Sequence, residues 1–269
     1  MKKKTSILVL MLFGCLVVTQ GLFAGDFDGN LAIYHQASEN KTANQNLADA
    51  VDPVLDMFGF LAGGGLYNSG DIHGVAGFDV GIKLSAMQVN DDQLPFFPDF
   101  DKDYQYGPLQ GENVIPLPLL HAEVGLFGNF AAIGRVFTYP VGDDGNVTLI
   151  GIGAKYGLLQ NFALPKVAIV AAYHYLTVPE EYDFANVNSM SAAVVVSKGF
   201  PFVSVYGGLG LDYTTLKLDL PIPENSFSKT NFRGNVGLKL SPIPFLYINL
   251  DYNFGAVEGL TAGAGVSIR

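Results

Sequence analysis

The sequence holds one cysteine and no tryptophan among its 269 residues. That cysteine, Cys15, lies in an apolar run that follows three consecutive lysines near the N terminus and ends at a small-residue cleavage site before Gly25. This order is typical of a secretory signal peptide, so we predict that residues 1–24 are removed on export. The mature chain then has no thiol, which excludes disulfide, zinc–thiolate and cysteine-nucleophile chemistry.

Charge is scarce as well. Only 15% of the residues are Asp, Glu, Lys or Arg, whereas a soluble domain usually carries about 25%. Without the three leader lysines the balance is 15 − 3 = 12 basic against 25 acidic residues, a net charge of −13. An acidic chain is a poor partner for nucleic acid. The low charge, with 49% hydrophobic residues and 32 glycines, favours a membrane barrel over a soluble sandwich.

Motifs for catalysis or metal binding are also missing. The four histidines, His35, His73, His121 and His174, show no metal-ligand spacing, and no Gly-x-Ser-x-Gly elbow occurs. A pair formed by His174 and Ser204 is the one hydrolase alternative, and its strand phases match loosely. The mature chain has no apolar helical run of the roughly 20 residues that cross a bilayer. We therefore expect no enzyme activity, no metal and no cofactor.

Alternation with a period of two residues is what the sequence has in abundance. Between Pro201 and Leu216 one set of side chains is apolar, including Val203 and Leu211, and the other is small or polar, including Ser204 and Asp212. Such a segment is a β-strand with one face in lipid and one in a polar space. A bilayer admits a sheet only if it closes on itself. The sequence therefore predicts an all-β fold, an antiparallel transmembrane β-barrel with a short N-terminal helical plug or cap.

The strand number follows from the alternating segments and the chain length. Roughly 20 residues per strand and connection give a range of ten to twelve strands for the mature chain. Eleven strand candidates lie near residues 59–68, 75–88, 117–127, 129–139, 146–157, 164–177, 186–198, 201–217, 230–241, 244–254 and 258–268.

The phase of each strand assigns its polar residues to the lumen, because a charge on the lipid face costs about 2 to 4 kcal/mol at the membrane midplane. The predicted lumen-facing polar residues are Asp79, Lys83, His121, Glu123, Arg135, Lys155, His174, Asp212, Arg233, Lys239 and Asp251. Since both signs are interleaved, we expect these groups to pair with one another and fill a narrow lumen. A polar permeation path is the alternative.

Two segments outside the strands are candidates for a functional role. Residues 25–58, before a barrel that spans 59–269, show helical spacing of apolar residues, and we interpret them as a plug or cap in or under the barrel. Pro53 marks a kink or the start of a second short helix, and an unpacked periplasmic helix is the alternative.

The long loop after the first barrel strand carries Phe96, Phe97 and Phe100, a candidate ligand-capture loop. The alternative is a loop that dips its aromatic rings among lipid headgroups.

Several glycine and aromatic motifs carry a family resemblance. They are Val51-Asp52-Pro53, Gly64-Gly65-Leu66-Tyr67-Asn68, Gly77-Phe78-Asp79, Leu119 to Phe130, Gly134 to Tyr139 and Gly151 to Gly157. In these the chain resembles an uncharacterised family of bacterial outer-membrane β-barrels. More distantly, a plug followed by a barrel resembles the outer-membrane long-chain fatty-acid transporters, which pass hydrophobic molecules through a gated lumen. The chain lacks their Asn-Pro-Ala hatch and is short for their fourteen strands, so none of their binding residues is carried over.

Together, the pattern and the resemblance predict a porin-like barrel in the outer membrane of a Gram-negative cell, reached by signal-peptide-directed export. Its expected function is passive transport of small, hydrophobic molecules. The expected partners are outer-membrane lipid, the barrel-assembly machinery and a hydrophobic small molecule, with no nucleic acid. Two alternatives stay open: a closed structural or surface-interaction barrel without transport, and a soluble periplasmic or secreted β-protein.

Overall fold

Ten of the eleven alternating segments form strands, and within the described residues these strands close into one antiparallel barrel. The computed structural model describes residues 41–88, 114–140, 145–178, 185–218 and 225–268. A single helix, α1, spans Lys41–Gly63. The strands are β1 (Phe78–Gln88), β2 (Val114–Gly125), β3 (Phe130–Pro140), β4 (Asn146–Leu159), β5 (Lys166–Thr177), β6 (Ala185–Gly199), β7 (Val203–Leu218), β8 (Ser226–Ile243), β9 (Leu246–Gly255) and β10 (Gly259–Ile268). The predicted fold class, with its ten to twelve strands and its N-terminal helix, is confirmed.

Each strand pairs with its neighbours in sequence, and β1 closes the barrel against β10, from Phe78 opposite Ile268 to Met87 opposite Gly259. The two ends of the barrel differ. At one end, which we call the short-turn end, the connections are two to six residues long: 126–129, 160–165, 200–202 and 244–245. At the other, the long-loop end, they are three to 25 residues long: 89–113, 141–145, 178–184, 219–225 and 256–258.

The outer face of the barrel is apolar. Ile82, Leu211 and Leu250 are each more than half exposed, as their strand phases predict. Every turn at the short-turn end carries an exposed phenylalanine; the set is Phe127, Phe162, Phe200, Phe202 and Phe245. Four exposed tyrosines lie on the outer face nearer the long-loop end, namely Tyr173, Tyr175, Tyr213 and Tyr252, and a fifth, Tyr156, lies nearer the short-turn end. The apolar wall thus lies between two sets of aromatic rings.

The strand predicted over residues 59–68 is wrong, because α1 continues to Gly63. Phe60, Leu61 and Ala62 are consecutive and all buried, so the segment has no polar side to alternate with. The helix ends in a glycine cap: the Gly64 amide donates to the Phe60 carbonyl at 2.7 Å, and Gly65 has a φ of 61°, a left-handed conformation that glycine adopts without strain. Pro53 lies within the one continuous helix.

The hydrophobic core lies between α1 and the inner wall of the barrel. Leu55 packs with Leu216 and Phe227 near the long-loop end. Phe60 and Leu61 pack in a second cluster with residues of β1 to β4, and Leu66 and Tyr67 in a third with residues of β3, β5, β6 and β7. Burial of each large apolar side chain contributes about 1.5 to 3 kcal/mol, so these contacts hold residues 51–67 against the wall.

Candidate functional site

The inner wall of the barrel is a continuous layer of polar side chains in contact with the helix and the segment that follows it. All eleven residues that the strand phases assign to the lumen are buried, with at most 9% of the surface of any of them exposed: Asp79, Lys83, His121, Glu123, Arg135, Lys155, His174, Asp212, Arg233, Lys239 and Asp251. Residues 51–77 pass through the middle of this layer, and we call them the plug. The plugged lumen is the candidate functional site.

Two arginines from opposite sides of the wall hold the C-terminal end of α1. Arg135 on β3 donates from Nη1 to the Ala62 carbonyl at 2.5 Å and from Nη2 to the Gly64 carbonyl at 2.6 Å. Arg233 on β8 donates from Nη1 to the Gly63 carbonyl at 2.8 Å. The last carbonyls of a helix lack partners within the helix and carry its partial negative charge. Guanidinium groups satisfy both requirements, so this arginine clamp fixes where the helix stops.

Arg233 also forms a buried ion pair with the wall. Its Nε and Nη2 donate to the two carboxylate oxygens of Asp212 at 2.7 and 3.1 Å, a bidentate geometry. The side chains are 9% and 2% exposed. Asp212 and Arg233 lie on neighbouring strands, where Asp212 is opposite Asn231 and Arg233 is opposite Gly210. The pair therefore ties two strands and the plug together at one point.

Gly63 allows this close approach. A Cβ atom at this position would lie 2.6 to 2.7 Å from Asp212 Oδ1, Arg233 Nη2 and Ser191 Oγ. Real Cβ atoms do not approach so closely, so any side chain here must push the ion pair apart.

We therefore expect Gly63→Ala to lower the free energy of unfolding by about 1 to 3 kcal/mol through overpacking. Helix propensity alone predicts the opposite sign, a gain of about 1 kcal/mol. Urea titration of the refolded barrel measures the difference. Gly134→Ala is the control, because a Cβ at Gly134 meets no atom within 4 Å, and we expect little change there. A stabilised Gly63→Ala protein would contradict the close packing.

A second charged cluster centres on Tyr247 of β9. Its hydroxyl donates to Asp79 Oδ1 at 2.5 Å, and the ammonium groups of Lys83 and Lys239 lie 4.8 and 4.2 Å from the centre of its ring. Lys239 bridges Asp79 at 3.4 Å and the plug residue Asn68 at 3.1 Å. Cations over a tyrosine face and beside a carboxylate are stabilised in a buried site. This cluster attaches the plug to the wall at Asn68.

A third cluster lies near the short-turn end. Lys155 donates to both oxygens of Glu123, at 3.0 and 3.2 Å, and Nε2 of the plug residue His73 lies 4.0 Å from Glu123. Burial lowers the pKa of His73, and it outweighs the nearby carboxylate of Glu123, which raises that pKa. His73 is therefore neutral at pH 7, and Lys155 supplies the counter-charge of Glu123.

Uncharged groups connect the clusters. Tyr67 of the plug donates to Asn235 at 2.7 Å, and Tyr206 donates to Asp251 at 2.7 Å. The sequence did not single out Tyr67 or Tyr206. The strand phase from Ser204 onward could have found Tyr206, whereas Tyr67 lies in the segment that was mistaken for a strand.

A small cavity lies beside the helix, among the described residues of the lumen. This cavity, lined by Asp56, Phe60, Arg233 and neighbouring residues, has a volume of about 10 Å³, barely enough for one water molecule. Among the described residues no three His, Cys, Asp or Glu side chains are placed to hold a metal ion. His174 is opposite Ser189 on β6, and Ser189 is opposite Thr214 on β7, ten residues from Ser204, so the suggested Ser–His pair does not form.

The candidate capture loop with Phe96, Phe97 and Phe100 lies outside the described residues, as do the predicted signal peptide and residues 25–40 of the predicted plug or cap. In the described part of the chain, no helix combines the length and the apolar character needed to cross a membrane.

Comparison with solved structures finds distant likeness to several outer-membrane proteins. The attachment invasion locus protein Ail of Yersinia pestis is 15% identical, with a TM-score of 0.29, over 72% of this chain and 98% of Ail. The translocator domain of the autotransporter NalP of Neisseria meningitidis is 12% identical, with a TM-score of 0.43, over 82% and 98%. The NanC porin is 8% identical, with a TM-score of 0.31, over 72% and 100%. Likeness at this level transfers no function.

Sequence comparison was made with curated proteins and with family models. Among curated proteins no significant match to the chain is found. The resemblance to the long-chain fatty-acid transporters is not shown by any of these comparisons and stays a prediction. One family model matches residues 100–268, which is 268 − 100 + 1 = 169 of the 269 residues. Since this is more than half of the sequence, the chain belongs to that family, a family of unknown function (DUF6588).

Proposed function

We propose that the protein is an outer-membrane β-barrel whose lumen is closed by its own N-terminal segment. The observation that supports membrane insertion is the inverted distribution of polarity, with charges inside and exposed apolar residues outside. Soluble monomers rarely expose apolar patches larger than a few hundred Å². In the described residues the one helix packs inside the barrel, so it leaves the apolar wall uncovered.

On β7 the spacing of the aromatic residues supports the same proposal. On β7, Tyr213 lies 213 − 203 = 10 residues from Val203, which adjoins the turn that carries Phe200 and Phe202. Ten residues of strand span about 33 Å, and a tilt of about 40° reduces this to about 25 Å along the membrane normal. An apolar band of about 25 Å between aromatic girdles is typical of outer-membrane barrels. The soluble alternative gives no reason for this spacing.

The filled lumen favours the closed-barrel alternative over passive transport. Hydrophobic cargo needs an apolar path of its own diameter, whereas the lumen contains ion pairs, the arginine clamp and three apolar clusters around the plug. Gated transport of small hydrophobic molecules is the second candidate. It is favoured by the polar attachments of the plug, such as Lys239 to Asn68 and Tyr67 to Asn235, because water can replace such bonds when a plug moves.

An engineered disulfide separates these two candidates. A Cβ at Gly59 would lie 3.9 Å from the Cβ of Thr214, well within the range that a disulfide needs. We expect Gly59→Cys/Thr214→Cys to form the bond in a mature chain that is otherwise free of cysteine. Ion conductance in planar bilayers and uptake of a fluorescent hydrophobic probe by intact cells are then measured with and without reductant, with Thr214→Cys alone as the control.

A closed barrel predicts no conductance and no added uptake in either redox state. Activity that appears on reduction and disappears on oxidation would establish the gated transporter instead. Activity in both states would show that neither the closed lumen nor a moving plug describes the protein.

A further inference from the structure

The plug enters the lumen at the long-loop end. Lys229 lies near the start of β8, close to the 219–225 connection. Its ammonium group donates to Asp52 and Asp56 of α1 at 3.0 Å each. Val51, which directly precedes Asp52 in the helix, packs against residues at the same end of the wall. The N-terminal half of α1 is therefore at the long-loop mouth.

The plug leaves the lumen at the short-turn end. The Gly70 amide donates to Ser197 Oγ at 2.9 Å, and the Ile72 amide donates to Oε1 of Gln160, in the 160–165 turn, at 3.1 Å. The Gly125 amide, at the end of β2, then donates to the Gly77 carbonyl at 2.8 Å, where β1 begins. Between these mouths lies the arginine clamp. The plug thus traverses the lumen once, from one mouth to the other, and does not turn back.

The two ends of the barrel have different orientations in a membrane. In bacterial outer-membrane barrels the short turns face the periplasm and the longer loops face the exterior. With ten strands, the start of β1 and the end of β10 are both at the short-turn end. That end is then periplasmic, and the mouth that holds Asp52 faces the exterior.

We propose that the protein threads its own N-terminal region through its lumen, so that the start of α1 is presented at the cell surface while the barrel termini face the periplasm. This inference rests on the proposed function as an outer-membrane barrel. It adds a second role, the display of a covalently attached segment on the outer surface. Export delivers the chain to the periplasm, so the segment before Val51 must pass through the barrel before the arginine clamp closes on the helix end.

Single cysteines in the otherwise thiol-free mature chain test the threading. Asp52→Cys lies on the plug at the long-loop mouth, with its native side chain 48% exposed, and loses only one of the two carboxylates that bind Lys229. Val75→Cys lies past the short-turn end, at a position 74% exposed. Ser226→Cys, exposed at the start of β8, reports which way the barrel faces independently of the plug. Each is treated with a polyethylene-glycol maleimide too large to cross the outer membrane, in intact and in permeabilised cells.

We expect Asp52→Cys and Ser226→Cys to be labelled to near completion in intact cells, and Val75→Cys only after permeabilisation. Labelling of Ser226→Cys without Asp52→Cys in intact cells would overturn threading and leave the membrane barrel standing. Labelling of Val75→Cys in intact cells would overturn the orientation. Recovery of the protein outside the membrane fraction would overturn the proposed function itself. The heat-dependent shift in gel mobility identifies the folded fraction, and labelling is counted only there.

Discussion

Replacing Arg233 with alanine is expected to lower the free energy of unfolding by about 3 to 5 kcal/mol, the cost of removing one partner of a buried ion pair. The carboxylate of Asp212, 2% exposed, would be left without its bidentate partner, and the Gly63 carbonyl would lose its donor. A buried carboxylate in this position cannot recover its solvation. The plug and two strands lose their common attachment in one substitution.

Lys229→Ala is the matched control. Lys229 lies on the same strand as Arg233 and also binds the plug, but its side chain is 30% exposed and its partners Asp52 and Asp56 are 48% and 22% exposed. Exposed ion pairs contribute about 0 to 1 kcal/mol. Urea titrations of both variants in lipid vesicles give the two free energies of unfolding. Equal losses in the two variants would show that burial at the arginine clamp does not set the stability of the plug.

A double-mutant cycle isolates the pair. In Asp212→Ala/Arg233→Ala both charges are gone, so no unpaired charge is buried, and we expect the double variant to lose less than the sum of the single variants. A loss equal to that sum would mean that Asp212 and Arg233 act independently, against the bidentate geometry.

The strand faces could be predicted from the sequence because their period is local. In β1, for example, Asp79 and Lys83 alternate with Val80 and Ile82, and only one phase keeps the charges out of lipid. Once that phase is known, burial follows for the charged residues on the inner phase, whereas Lys198 and Lys217 lie on the outer phase near the ends of their strands. Such local information predicted all ten strands of the described residues and the inner position of all eleven polar residues, and of eleven predicted strands only the one over 59–68 is wrong.

The partners of those residues could not be predicted in the same way. Tyr247 binds Asp79 across the barrel closure, 168 positions away in sequence, and Arg233 binds Gly63 across 170 positions. These contacts depend on strand register and on the path of the plug. The end of the plug helix has no periodic signal, because Phe60, Leu61 and Ala62 are consecutive and all buried. An enclosed helix and an enclosed strand then show the same unbroken apolar run, which explains the error over 59–68.

The proposed contact between the outer wall and lipid is tested by placing an arginine at two depths along β9. Leu246 and Leu250 lie on the same outer face of β9, 44% and 55% exposed. Leu246 adjoins the 244–245 turn at the short-turn end, whereas Leu250 lies in mid-strand between Leu238 of β8 and Ala262 of β10. We expect Leu250→Arg to make folding into lipid vesicles less favourable by about 2 to 4 kcal/mol, and Leu246→Arg by about 0 to 1 kcal/mol, because the cost of a charge falls toward the interface.

The same pair of variants separates the membrane barrel from a soluble one. On a water-exposed face both leucines are surface positions, where substitutions usually change stability by less than about 0.5 kcal/mol. Folding free energies from urea titration in vesicles, with gel mobility as the measure of folded protein, give the two values directly. A steep difference between the two depths is the response of a chain whose outer wall contacts lipid. Two small and equal changes would show that the apolar wall faces something other than a bilayer, and the proposed location would have to be abandoned.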